Sequence, residues 1–150
     1  MSKTVRITGV GSLEKLLDDK ARDLKKLDSL VKKVASDIRN WIQERTQSGL
    51  DSDRKKFKPY SPNYKIWKAV KKKRNVANVD LTLNGEMLFS IKIKKVRNGH
   101  ILYFADSKQR KKADKHEFGK GVPKRSFFAI DDNQVDKAMK RFKKLIFEDL

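Results

Sequence analysis

The chain has 150 residues and a formal net charge of +19, from 38 Lys and Arg against 19 Asp and Glu. This length suits one domain with a modest core, since single cores commonly occupy about 100–200 residues. Cysteine is absent, which excludes disulfides, thiolate metal sites and cysteine nucleophiles. No apolar run approaches the ~20 residues that cross a bilayer, so we expect an intracellular protein without a membrane anchor.

The excess positive charge lies in the middle of the chain. Residues 54–125 contain 22 basic and 5 acidic side chains, a net of +17, and the rest of the chain carries only +2. Such a field attracts polyanions or an acidic protein partner and opposes self-association at low salt. The candidate contacts for such a partner are the clustered cations Arg54, Lys55, Lys56, Lys58, Lys71, Lys72, Lys73, Arg74, Arg110, Lys111 and Lys112.

The N-terminal third predicts a strand followed by a long helix. Residues 4–8 alternate β-branched and polar side chains, and glycines at 9 and 11 then end the strand. Ser12 is the predicted N-cap of a helix whose apolar residues recur every three or four positions from Leu13 to Trp41. Gly49 supplies the stop signal. The pattern fits either one helix or two with a break near residues 18–23.

The next stretch predicts a loop and a short helix. Residues 50–62 are polar and contain two prolines, but Phe57 and Tyr60 are too apolar to be left fully exposed, so we expect the loop to pack back. Residues 64–70 then form a short helix that ends in the four cations 71–74. Tyr64 and Trp67 share a helical face with other apolar residues, which favours a core or interface role over base stacking.

A β-hairpin is the clearest local signal. Asn98-Gly99 lies between two β-rich runs and matches a two-residue type I′ turn, because both central positions need positive φ. That register pairs Ile93 with Phe104. In that register Lys94 and Lys95 stand opposite Tyr103 and Leu102. Either the hairpin tip is therefore solvated on both faces, or a bulge at Lys94-Lys95 restores the alternation of polar and apolar side chains. Before the hairpin, Asn84-Gly85 predicts a chain reversal followed by one helical turn.

The C-terminal part predicts a loop, a strand and a helix. Residues 107–115 are strongly basic and are predicted to form an exposed loop, and residues 127–130 a short buried strand. Asp131 or Asp132 then caps a helix with the apolar stripe Val135, Met139, Phe142, Leu145 and Ile146.

Taken together, these elements predict an α+β fold. A long N-terminal amphipathic helix and a C-terminal helix pack on a small, mainly antiparallel β-sheet. We expect a single domain over residues 1–150, with the strand and long helix in residues 1–50. Residues 51–150 then hold the basic, loop-rich sheet region and the C-terminal helix.

Four short stretches, read in order, resemble the virion-morphogenesis or tail-completion family of tailed bacteriophages. They are residues 57–68 (F-K-P-Y-S, then Y and K), 81–90 (L-T-L-N-G-E-M-L, then S), 116–119 (H-E-F-G) and 122–128 (V-P-K-R-S-F-F). Lys124 and Ser126 stand where the family has alanine and proline. The residues that carry the resemblance are Phe57, Pro59, Tyr64, Gly85, His116, Phe118, Gly119, Pro123, Arg125 and Phe127.

The resemblance implies a non-enzymatic structural subunit of the virion, which works in the tail or at the neck between head and tail and passes through the host cytoplasm during assembly. It implies a homo-oligomeric ring and contacts with neighbouring neck, connector or tail proteins. Residues 54–62 and 107–115 are the candidate ring contacts. For the basic residues two partners stay open, namely genomic DNA in the channel and acidic subunits of a neighbouring ring. The alternative from another class is a free basic nucleic-acid-binding protein.

The residues favour no catalytic, cofactor or metal site. No second histidine stands at ligand spacing from His116, and His100 is predicted at the hairpin tip, so structural or solvent-facing roles are favoured for both. The pairs Asp18-Asp19 and Asp131-Asp132 fall where helices start or break, where carboxylates serve as caps. A phosphate-cradling glycine loop and a nucleophile with an evident base are both missing.

Overall fold

The computed structural model describes residues 3–7, 24–74, 76, 78–81 and 85–149. The predicted strand end at Gly9 and Gly11, the cap Ser12, the break near residues 18–23 and the turn residue Asn84 lie outside the described residues. The elements are β1 (Val5–Ile7), α1 (Leu24–Gln47), α2 (Pro62–Lys72), α3 (Glu86–Phe89), β2 (Ile91–Val96), β3 (Gly99–Phe104), α4 (Ser107–Phe118) and α5 (Asp132–Asp149). The fold is α+β, as predicted.

The sheet has three antiparallel strands in the order β1-β3-β2. The hairpin forms, but its two-residue turn is Arg97-Asn98 and not Asn98-Gly99. The predicted register is therefore wrong by two residues, because Ile93 pairs with Leu102 and not with Phe104. Neither Arg97 nor Asn98 has a positive φ, so the chain does not form the type I′ turn, and Gly99, with a φ of 137°, is the first residue of β3. A shift of two keeps every side chain on its face. The ladder is continuous, and Lys94-Lys95 at the tip are both exposed.

The core lies between the sheet and α1. Leu27, Val31, Val34 and Ile38 follow the predicted helical spacing and are buried against Leu102 and its neighbours. The helix α5 packs mainly against α1, so it reaches the sheet through that helix. α1 ends where predicted, and Gly49 adopts a φ of 81°.

The predicted loop at residues 107–115 is wrong, since this stretch begins α4. Asp106 caps the helix by accepting a hydrogen bond from the Gln109 amide. The buried positions are Gln109, Ala113 and Glu117, spaced by four residues but polar or small. Apolar periodicity therefore could not reveal this helix.

The predicted strand at residues 127–130 is also wrong, although Phe127 and Phe128 are fully buried. Their backbone amides donate to the Glu117 carboxylate at 2.9 and 3.1 Å and pair with no neighbouring strand. A buried side chain thus satisfies the backbone groups that a sheet would otherwise pair.

The helix α5 starts at the predicted cap, because Asp131 accepts a hydrogen bond from the Gln134 amide at 2.8 Å. Its predicted stripe is only half right. Phe142, Leu145 and Ile146 are buried, but Gln134 and Ala138 occupy the inward positions near the N-terminus, and Val135 and Met139 are exposed. Among the described residues, no helix is long and apolar enough to span a membrane.

Candidate functional site

The four family-like stretches, distant in sequence, meet around one open cavity of about 500 Å³, here called the motif cleft. The first stretch contributes Tyr60, Ser61 and Tyr64 to its lining, and the second contributes the start of α3. His116 on α4 and the chain around Pro123 and Arg125 complete it. The motif cleft is therefore the candidate functional site.

Arg125 joins three sides of the cleft. Its side chain is buried and donates to the backbone oxygens of Lys58 and Pro59 at 2.9 and 3.0 Å. Its own amide donates to the His116 oxygen at 2.7 Å. Its guanidinium carbon lies 5.2 Å from the centre of the Tyr60 ring, within cation–π range. Burial lowers the pKa of Arg125, and the two backbone oxygens compensate its charge.

The buried residue Glu117 holds the chain behind the cleft. One carboxylate oxygen accepts the amides of Phe127 and Phe128, and the other pairs with Lys3 just before β1. Glu117 thus serves as an anchor, and its oxygens do not face the cleft as a catalytic carboxylate would.

A second buried network holds α2 at the cleft. Lys68 is fully buried and pairs with Asp80 at 2.8 Å. The Tyr60 hydroxyl accepts the Leu81 amide at 3.2 Å, and Lys68 also lies 4.9 Å above the Tyr60 ring. Burial, with the nearby Asp80 carboxylate, raises the pKa of Tyr60. Tyr60 is therefore a neutral, rigid wall of the cleft.

His116 is neutral in the cleft wall. Burial and then the Arg125 charge lower its pKa to about 4. Its Nδ1 lies 3.5 Å from the Arg125 guanidinium, the position of a weak acceptor. His100 lies next to the hairpin turn, where the sequence predicted it, and its role is structural and not solvent-facing. It is buried in β3, where burial lowers its pKa although Asp28 lies 3.9 Å away.

Two glycines of the stretches are required by backbone geometry. Gly85 has a φ of 77°, and a Cβ on it would lie 2.7 Å from the Phe89 ring. Gly119 ends α4 with a φ of 70°, and a Cβ there would lie 3.1 Å from the Lys124 side chain. Gly85 lines the cleft, and Gly119 lets the chain leave α4 close to Lys124.

The remaining residues of the resemblance are divided between core and surface. Phe57 and Phe127 are buried, and Tyr64 is half-buried against Tyr60 with ring centres 4.8 Å apart. Pro59 and Pro123 are exposed. Phe118 is largely exposed at the end of α4, beside Lys120. These residues specify shape, and within the described residues no group of three or more His, Cys, Asp or Glu could hold a metal ion.

The predicted basic contacts lie on three separate elements. The loop cations Arg54, Lys55, Lys56 and Lys58 are exposed, and Arg54 pairs with Asp131 at 2.8 Å. The exposed cations 71–74 stand at the C-terminal end of α2. The third set lies on α4, where the predicted contacts are Arg110, Lys111 and Lys112.

The helical form of α4 identifies two further cations that sequence reasoning missed. Lys108, Lys111, Lys112 and Lys115 are spaced by three and four residues, so they share one exposed face, here called the lysine face. Lys112 and Lys115 also line the motif cleft. A prediction of α4 from the sequence would have revealed this face, because the same lysines in a loop would not share one side.

A second basic surface lies on the outer face of the sheet. The register aligns Arg6, Ile101 and Lys94 in one cross-strand row and Tyr103 and Lys92 in the next. All three cations are exposed. This surface combines positive charge with an aromatic ring, and no local sequence pattern indicates that Arg6 belongs to it.

Comparisons with protein-family models, with curated proteins and with solved structures find no match for this chain.

Proposed function

We propose that this protein is a structural subunit of a tailed-bacteriophage particle that completes or joins the tail at the head–tail interface, as one copy in a ring. The observation that supports this most is that four stretches resembling the virion-morphogenesis or tail-completion family, separate in sequence, line one cleft. Chance resemblances would have no reason to meet in space. The proposed work of the protein is binding, without catalysis.

The two candidate contact regions face each other across the cleft. Tyr60 and Ser61 belong to the loop at residues 54–62, and Lys112 and Lys115 belong to the stretch that forms α4. The buried links of Arg125 make the wall between them rigid, which lowers the entropy lost when a partner docks. The lysines at the rim favour an acidic segment of a neighbouring neck, connector or tail protein.

The test is assembly of particles with and without the protein. Particles made without it have heads and tails that are unjoined or tails of uncontrolled length, as seen by electron microscopy, and supplying the protein restores infectivity. Complete and infectious particles in its absence would overturn the proposal. Replacing Lys112 and Lys115 by glutamate is expected to lower infectivity, whereas the same change at Lys92 and Lys94 on the sheet keeps the cleft intact and is the matched control.

A free nucleic-acid-binding protein is the second candidate, favoured by the lysine face and the outer face of the sheet. Four lysines on one helical face can contact successive phosphates, and each neutralised phosphate steepens the salt dependence of binding. Replacing all four by glutamine then reduces the slope of log affinity against log salt by roughly 1 for each lysine that contacts phosphate. DNA affinity independent of salt would exclude this candidate.

A further inference from the structure

The helix α2 buries a charged side chain and exposes apolar ones, the opposite of an ordinary amphipathic helix. Its one fully buried residue is Lys68, whereas Ile66, Val70 and Trp67 are 63%, 67% and 40% exposed. The ion pair of Lys68 with Asp80 holds the charged side inward. The apolar side is left facing away from the protein, a pattern that marks a surface for another macromolecule.

The N-terminal half of α5 presents a second exposed apolar stripe. Val135 and Met139 are 42% and 44% exposed, and Asp132 and Asp136 stand beside them at the spacing of one helical face. Neither aspartate forms an ion pair within the described part of the chain. This stripe is therefore apolar and acidic.

The two stripes match when the helices run in opposite directions. On α2, Ile66 is followed by Val70 after four residues, and Lys73, the residue that caps the helix, comes three residues later. Read backwards, α5 has the same steps of four and three from Met139 to Val135 to Asp132. Antiparallel packing thus places apolar residues opposite apolar residues and brings the cation that caps α2 near an acid.

The charges at the two helix ends are also complementary. The cations 71–74 stand at the C-terminal end of α2 and include no acid, while Asp132 and Asp136 stand at the N-terminal end of α5. In the antiparallel arrangement these two ends adjoin. Opposite charges favour this pairing over two antiparallel copies of α2, because α2 contains no acid that the cations of the other copy could face.

We infer that α2 of one copy packs antiparallel on the N-terminal half of α5 of the next copy. This inference rests on the proposed function and names the contact that joins subunits of the ring. Because the two stripes are different surfaces, the contact is head-to-tail, which closes into a ring when the rotation between copies allows it. The partner is a second copy of this chain.

The test uses two variants that each remove one side of the contact. Val70→Asp disables the α2 stripe and Met139→Asp the α5 stripe, and both residues are exposed, so the fold is expected to persist. Sedimentation velocity at moderate salt should give an oligomer for the unaltered protein. Each variant alone should weaken association at least about tenfold, and an equimolar mixture should form a dimer through the one intact pair of faces.

Charge reversal sharpens the test. Lys73→Asp weakens association, and adding Asp132→Lys on the same chain restores it. Lys71→Asp is the matched comparison: position 71 lies on another side of the same helix end, so its charge reversal should weaken association less, and Asp132→Lys should not restore it. Phe147→Ser, also on α5 and 82% exposed, is the apolar control outside the stripe.

The outcomes separate this inference from the ring itself. A monomeric unaltered protein overturns both the contact and the ring. An oligomer that both variants leave unchanged overturns only the contact between α2 and α5. Monomeric variants whose mixture stays monomeric overturn the head-to-tail pairing, and restored association in the mixture supports it.

Discussion

Residues 125–131 have no regular secondary structure, yet buried contacts hold them from several sides, whereas α2 is a regular helix fixed mainly at one side. The first segment is bound by Arg45, whose guanidinium donates to the oxygens of Phe127 and Ala129 at 2.5 and 2.7 Å, and by Glu117. α2 relies on Lys68 and the neighbouring tyrosines, and it exposes its apolar face.

The contrast teaches that regular hydrogen bonding within an element and firm attachment to the protein are separate properties. An irregular segment must find partners for its backbone groups in other elements, so it becomes strongly bound when buried. A helix satisfies its own backbone and can therefore turn an unusual face outward. In this protein the irregular segment stabilises the core, and the helix offers a surface.

The largest loss of stability is expected from substitution of Glu117. Replacing it with alanine leaves two buried amides without an acceptor and should lower the free energy of unfolding by about 3–5 kcal/mol. Glu117→Gln keeps an acceptor oxygen and should cost less. Urea denaturation measures both changes, with the exposed Glu148→Ala as control. Equal stability of Glu117→Ala and the control would show that the segment is held otherwise.

Substitution of Arg125 should cause the second-largest loss of stability. Arg125→Ala removes the donors to Lys58 and Pro59 and should cost about 2–3 kcal/mol. Hydrogen exchange should show the loop at residues 57–61 opening more than α1. Lysine at this position keeps the charge but not the fork of donors, so it should restore only part of the stability. The adjacent exposed Lys124→Ala is the control, and a loss as large there would contradict the assignment.

His116 should make stability depend on pH. Its pKa is about 4 in the folded protein against an ordinary 6.5, so between these values the unfolded chain binds a proton that the folded chain does not. The free energy of unfolding therefore falls as the pH drops from 6.5, and this loss levels off below about 4. His116→Gln should show a shallower decline in thermal unfolding over the same range. Parallel profiles would argue against a buried neutral histidine.

The smallest effect is expected on the outward face of α2. Ile66→Ala should change the free energy of unfolding by no more than about 0.5 kcal/mol, because the side chain is exposed. The same substitution at the buried Ile38 should cost about 2–5 kcal/mol. A large loss at Ile66 in dilute solution would mean that the helix covers part of its own core.

The sequence located most elements but misjudged those whose contacts are polar. Apolar periodicity found α1 and most of α5, and turn chemistry found the hairpin. The helix α4 escaped because its buried face consists of Gln109, Ala113 and Glu117. The apolar run around Phe127 predicts a strand, because local sequence cannot show that Glu117 binds the backbone amides there.

The candidate site was also predicted only in part from the sequence. The residues of the four stretches were named from the sequence, and the need for glycine at 85 and 119 agrees with their positive φ. Their meeting in one cleft, and the sharing of one face by Lys108, Lys111, Lys112 and Lys115, depend on contacts between elements that no local pattern records.

The α+β class, the basic middle of the chain and the helices with apolar stripes follow from local spacing and charge, so the sequence alone predicts them. Which side of α2 faces outward depends on contacts between elements, which local sequence does not contain. A lysine normally faces water, and it was buried here because Asp80 and Tyr60 compensate its charge. That one buried ion pair turns Ile66 and Val70 away from the core and makes them available to another molecule.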